Sequence, residues 1–121
     1  YSDYLRGNYD LAMLGFKQYL EAFPETDLAD NAIYWIGECS YRQQKYVEAI
    51  AEYDRVLREY PRSDKTASAQ LKKGFSLLEL GQKKEGTAQL QNVAKAFPAS
   101  DEANLAKQRL QSLGVDPGTR K

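Results

Sequence analysis

The sequence contains no histidine and only one cysteine, Cys39. Without histidine there is no Ser-His-Asp or Cys-His catalysis, no zincin-type metal site and no imidazole acid–base chemistry. With one cysteine there is no internal disulfide and no CxxC redox pair. Net charge is also missing, since 17 Lys and Arg cancel 17 Asp and Glu. That balance argues against nucleic acid as a partner, because phosphate binding needs a net basic face. It offers nothing to an anionic membrane surface either. No apolar run approaches the roughly 18–20 residues that cross a bilayer, so no membrane insertion is expected. The opening Tyr1-Ser2-Asp3 carries no initiator methionine or signal peptide and reads as the start of a fragment of a longer protein.

What is present suffices for one domain. The 121 residues are 42% apolar and include nine Tyr, four Phe and one Trp, enough to bury a core. Their arrangement is periodic. Phe23-Pro24, Tyr60-Pro61 and Phe97-Pro98 stand 37 residues apart, each followed by a Pro-x-Ser/Thr-Asp string ending at Asp27, Asp64 or Asp101. Proline stops a helix, and Ser/Thr or Asp supplies a side-chain oxygen to cap the next, so one of the pair is expected to cap each following helix. The apolar residues before each proline repeat as well. Ala12, Phe16, Tyr19, Leu20 and Phe23 correspond to Ala49, Tyr53, Val56, Leu57 and Tyr60, then to Gly86, Leu90, Val93, Ala94 and Phe97. Their spacing marks one face of an amphipathic helix.

A second helix precedes each of these, separated by polar turns at Arg6-Gly7-Asn8, Gln43-Gln44-Lys45 and Gly81-Gln82-Lys83. No segment alternates apolar and polar over a strand's length. The pattern predicts an all-α, right-handed superhelical solenoid of antiparallel helix pairs, with about three repeats and a C-terminal capping helix. Helices are expected near 1–6, 9–22, 27–43, 46–59, 64–80, 83–96 and 101–113. The domain then spans 1–113, divided into a truncated repeat over about 1–26, repeats at 27–63 and 64–100, and a cap at 101–113. Residues 114–121 read as a disordered tail.

These residues resemble the tetratricopeptide (TPR) family. The middle copy matches its pattern with Gly37, Tyr46, Ala49, Tyr53 and Pro61, and the first with Gly7, Tyr9, Ala12, Phe16 and Pro24. The third offers Gly74, Gly81, Leu90 and Pro98 but has Lys83 and Gly86 where Tyr and Ala are asked for, which predicts looser packing there. The longer junction, with the Tyr34–Cys39 and Tyr46–Ile50 strings, is similar to the C-terminal domain of the periplasmic YbgF family of the Tol-Pal system, the cell division coordinators. That resemblance implies a periplasmic protein that binds TolA and links envelope constriction during cell division to peptidoglycan synthesis and its synthase complex. It also implies a signal peptide and an N-terminal coiled coil that would make the longer protein an oligomer. The lipoprotein of the outer-membrane protein assembly machine carries similar repeats and is the alternative.

Several chemical motifs dissolve on inspection. Gly81-Gln82-Lys83-Lys84-Glu85-Gly86-Thr87 imitates a phosphate loop but lacks the lysine before the threonine and the preceding strand, so it reads as a helix–helix turn. Cys39 has no second Cys to activate it and reads as a buried thiol. The carboxylates are spread along helix surfaces. No enzyme and no cofactor are expected.

The informative surface is the inner one. In solenoids of this type the first helix of each pair lines a concave groove. There Asn31, Tyr34, Glu38, Tyr41 and Arg42 form one stripe, continued by Leu71, Phe75 and Leu78 one repeat later and by Tyr4 on the truncated side. Tyr and Phe supply contact area at low entropic cost, Asn pairs with a peptide backbone, and Arg offers a fork to a carboxylate. Trp35, with Leu28, Ala32 and Cys39, is expected to pack on a neighbouring repeat. Two functions fit: an adaptor that holds a protein segment in the groove, or a module that assembles with copies of itself. Tyr9, Ala12 and Phe16 lack their usual neighbour, which predicts weak self-association at that end.

Overall fold

The computed structural model describes residues 1–26 and 28–116. Among these, seven helices and no strand occur: α1 Ser2–Leu5, α2 Tyr9–Ala22, α3 Ala29–Arg42, α4 Tyr46–Glu59, α5 Thr66–Glu79, α6 Lys83–Ala96 and α7 Asp101–Ser112. Each helix packs on the next along the chain, and α5 also meets α7. This is a TPR-like helical solenoid, as the periodicity predicts.

The turn inside each repeat follows from its backbone. After α1, α3, α5 and α7 the chain closes on itself through Asn8 N–H to Asp3 O, Lys45 N–H to Ser40 O, Gln82 N–H to Leu77 O and Val115 N–H to Leu110 O. That six-to-one bond needs a left-handed residue just before the donor. Gly7 and Gly81 adopt it at φ 81° and 80°, while Gln44 holds the same conformation at φ 62° despite its side chain.

The junctions between repeats differ from expectation in an instructive way. α3 and α5 begin two residues later than the strings suggest, because Ala29 N–H bonds Thr26 O and Thr66 N–H bonds Ser63 O, closing a turn first. Neither helix has a side-chain cap. The Thr26 hydroxyl is held by Phe23 O, and Asp27 lies outside the described residues. Ser63 Oγ donates to Asp30 of the preceding repeat and accepts Lys65 N–H. Ser100 alone of the three caps, accepting Ala103 N–H at 3.0 Å. The residue that corresponds to Asp30 one repeat later is Ala67, which has no acceptor to offer and leaves Ser100 to its own helix. Ser100→Ala is therefore expected to lower stability by about 1 kcal/mol, read from the midpoint of urea unfolding. An unchanged midpoint refutes the capping role.

The core lies between the helix rows. Ile33, Tyr34, Ala49, Tyr53, Val56 and Ala69 form one buried cluster, and Leu71, Leu90, Val93, Ala106 and Leu110 form the next. Gly37 and Gly74 occupy equivalent positions under Tyr53 and Leu90, where a Cβ would lie 2.9 Å and 2.8 Å from the covering side chain. The third hairpin is not loose. Leu78 fills the space that a side chain at Gly86 would need, 2.8 Å away, and Leu90, Val93 and Ala94 are fully buried. Residues 114–116 are also not frayed. Val115 packs on the second cluster, and the Asp116 carbonyl accepts from Gln91 Nε2 at 2.8 Å. The rest of the expected tail, 117–121, lies outside the described residues.

Candidate functional site

The first helices of the pairs, α1, α3 and α5, together with α7, touch in succession through one recurring column. Tyr1, Glu38 and Phe75 are equivalent positions, as are Trp35, Lys72 and Arg109. At the first joint the Tyr1 and Trp35 rings meet edge to face at 4.9 Å. At the second, Lys72 Nζ lies 3.3 Å from Glu38 Oε2. At the third, the Arg109 guanidinium sits 4.5 Å above the Phe75 ring. One geometry is thus filled by aromatic, ionic and cation–π chemistry in turn.

This column decides where the inner stripe goes. Tyr34, Glu38 and Leu71 are buried at 7%, 4% and 2% exposure, inside the joints. Lys65 Nζ covers the Tyr34 ring at 5.4 Å, and Leu71 packs with Leu90 and Leu110. Tyr4, Tyr41, Phe75 and Leu78 are half-buried and Arg42 is exposed, so these five make the accessible row. Lys72 Nζ braces the Tyr41 ring from 4.6 Å, and Tyr46 meets its edge at 5.4 Å. Arg42 Nε donates to Tyr4 Oη at 3.1 Å, tying α3 to α1. Asn31 stands apart, in a cleft at the α1 end with Phe16, Leu28 and Trp35. Trp35 packs on the neighbouring repeat as predicted, against Tyr4 at 4.9 Å and Phe16 at 6.4 Å.

Electrostatics keep the buried part of the site protonated. Burial, then the Glu38 carboxylate, pushes the Tyr34 and Tyr53 hydroxyls far above the ordinary tyrosine range. Tyr53 Oη donates to Glu38 Oε1 at 2.5 Å, so Glu38 serves two elements at once. Burial raises Tyr4 as well, against the Arg42 hydrogen bond that lowers it. Burial beside Glu38 pushes the Cys39 thiol up to about 11, and its side chain is fully enclosed. A thiol in that state is a poor nucleophile at neutral pH. Among the described residues no group of three or more Cys, Asp or Glu is placed to hold a metal ion.

Three residues that the sequence reading passed over do the clamping: Lys65, Lys72 and Arg109. Their signal becomes visible only when residues 31–34 apart are read as neighbours across a joint.

A family model described as YfiO, outer membrane lipoprotein, matches residues 1–114. No curated protein matches the chain.

Proposed function

Because the chain belongs to the YfiO outer membrane lipoprotein family, we propose that it is a non-enzymatic, protein-binding scaffold on the periplasmic side of the bacterial outer membrane. Residues 1–113 act as the binding unit, and the row Tyr4, Tyr41, Arg42, Phe75 and Leu78 holds a segment of an envelope protein. The observation that carries this reading is the bracing of half-buried rings by cations on the next helix of the row, Lys72 on Tyr41 and Arg109 on Phe75. Rings fixed before binding lose little entropy when a partner covers them. Arg42 keeps its Nη groups for a partner carboxylate while Nε holds Tyr4. Buried Tyr34, Glu38 and Leu71 set the spacing of the row from beneath.

Two partners follow from the family resemblances. A membrane-protein assembly component suits the lipoprotein family, and a TolA segment suits the Tol-Pal resemblance, with its link to cell division. Calorimetry with each protein separates them. Tyr41→Ala and Phe75→Ala are expected to weaken binding of the true partner by about thirtyfold each. With equal numbers of positive and negative residues, binding depends weakly on salt. Variants that stay folded and bind like the parent would place the partner elsewhere.

A further inference from the structure

Where α2, α3 and α4 meet, a cavity of about 200 Å³ is lined by Met13, Lys17, Ile36, Ser40 and Glu52 among others. Its apolar part is Ile36, which is 3% exposed, and half-buried Met13. Glu52 Oε2 is buried, with no hydrogen-bond partner among the described residues. Burial holds the Glu52 carboxyl above the ordinary carboxylate range, against Arg55 and Lys17, which lower it. Arg55 Nε is committed to Glu59 at 3.3 Å. A carboxylate oxygen taken out of water without a donor carries a cost that a donor would remove.

The next repeat shows what is missing. Shifted by 37 residues, Glu52 becomes Gln89, whose Oε1 accepts from Gln70 Nε2 at 3.2 Å. Lys17 becomes Asp54, which takes Lys73 Nζ at 2.6 Å. Both donors project from α5. At the two matching positions α3 carries Ile33 and Ile36, which are buried and have nothing to donate. Lys17 and Lys45 line the cavity from exposed positions, and neither forms an ion pair among the described residues. Glu48, also in the lining, lies four residues before Glu52 on the same face of α4.

We propose that this cavity binds a primary alkylammonium group, the head of a free alkyl amine or of a lysine side chain on a partner protein. The ammonium supplies what α5 supplies in the next repeat, donating to Glu52 Oε2 with the Glu48 carboxylate on the same wall. Its alkyl stem covers Ile36 and Met13, which a bare cation would leave in water. Lys17 and Lys45 leave the lining neutral overall, so contact with Glu52 holds the ammonium and salt weakens it little. The cavity shares no residue with the inner row and stands apart from that reading.

Met13, the only methionine, lines the cavity, and its methyl resonance reports occupancy. The probes are n-butylammonium, which has the four-carbon stem of lysine, and butan-1-ol, which has the stem without the charge. Butylammonium is expected to shift the Met13 methyl with a Kd on the order of 10 mM, about tenfold tighter than the alcohol. Glu52→Gln, the residue found at the equivalent position 89, is expected to keep the fold and abolish that preference. The peptide acetyl-Ala-Lys-Ala-amide separates the sources. A shift by the peptide too assigns a partner's lysine, and a shift by butylammonium alone assigns a free amine. Equal shifts by amine and alcohol, no shift up to roughly 100 mM, or unchanged binding in Glu52→Gln overturns the proposal. So does binding that appears only in Lys17→Ala, which would make Lys17 the donor to Glu52.

Discussion

Replacing Tyr53 with alanine is expected to remove about 3–5 kcal/mol of folding stability, the largest single effect in the molecule. Its ring is fully buried, covers Gly37 and joins α3 to α4 within the first core cluster. A domain of this size commands only about 5–15 kcal/mol in total, so the variant should be substantially unfolded at mild denaturant concentrations. Tyr53→Phe keeps the ring and removes the bond to Glu38, which accepts at 2.5 Å. That loss is expected to cost about 1.5–3 kcal/mol, because the acceptor is a charged carboxylate left with one donor fewer. The two variants separate packing from hydrogen bonding. Equal urea midpoints for Tyr53→Ala and the parent would remove Tyr53 from the core account.

Tyrosine burial also sets an alkaline limit. Tyr34 and Tyr53 ionise with an ordinary value of 10.0 when unfolded and far higher when folded, chiefly through burial. Above pH 10 the folded chain therefore retains protons that the unfolded chain releases. Stability is full below that value and falls as pH rises beyond it. In Tyr53→Phe the decline between about pH 10 and 11 should be shallower than in the parent, since one of the groups raised by burial is gone. A parallel decline in the two proteins would assign the alkaline loss to other residues.

The fold was legible because its signals are local and repeated. Proline stops, polar turns and the Ala12–Phe16–Tyr19 spacing each occur three times, and the helices lie within two residues of the expected bounds. The junction caps were less legible. Whether Ser63 or Ser100 caps its helix depends on a residue in the preceding repeat, Asp30 or Ala67. The inner stripe was legible as a helix face and not as a surface. Helical spacing puts Tyr34, Glu38 and Tyr41 on one side, but the next helix covers the first two and leaves the third half open. Depth across a joint is a tertiary quantity that the period of one helix does not carry. The Gly86 departure was misread for a similar reason, since Leu78 on the opposite helix takes up the missing volume.

Glu38→Ala is expected to be the most damaging change of a charged residue, at about 2–3 kcal/mol. It strips Tyr53 of its acceptor and Lys72 of its carboxylate together. Breaking a buried pair from one side costs roughly 3–5 kcal/mol, and the lower figure reflects Lys72, whose side chain is 21% exposed against 6% for Glu38 and which keeps the Tyr41 ring at 4.6 Å. The other joints show how the loss can be undone. At the third joint the same three positions hold Phe75, Arg109 and Leu90, an arrangement with no buried carboxylate and no hydroxyl to satisfy. Copying it into the second joint as Glu38→Phe, Lys72→Arg and Tyr53→Leu removes the orphaned hydroxyl and gives the orphaned cation a ring in place of its carboxylate. The triple variant should therefore be more stable than Glu38→Ala, despite three changes at the heart of the domain, because the residues are coupled and their effects do not add. Urea unfolding of the parent, the single variant and the triple variant decides the matter. If the triple variant falls below Glu38→Ala, the joints are not interchangeable, and the second repeat depends on its buried ion pair for packing that the aromatic version cannot supply.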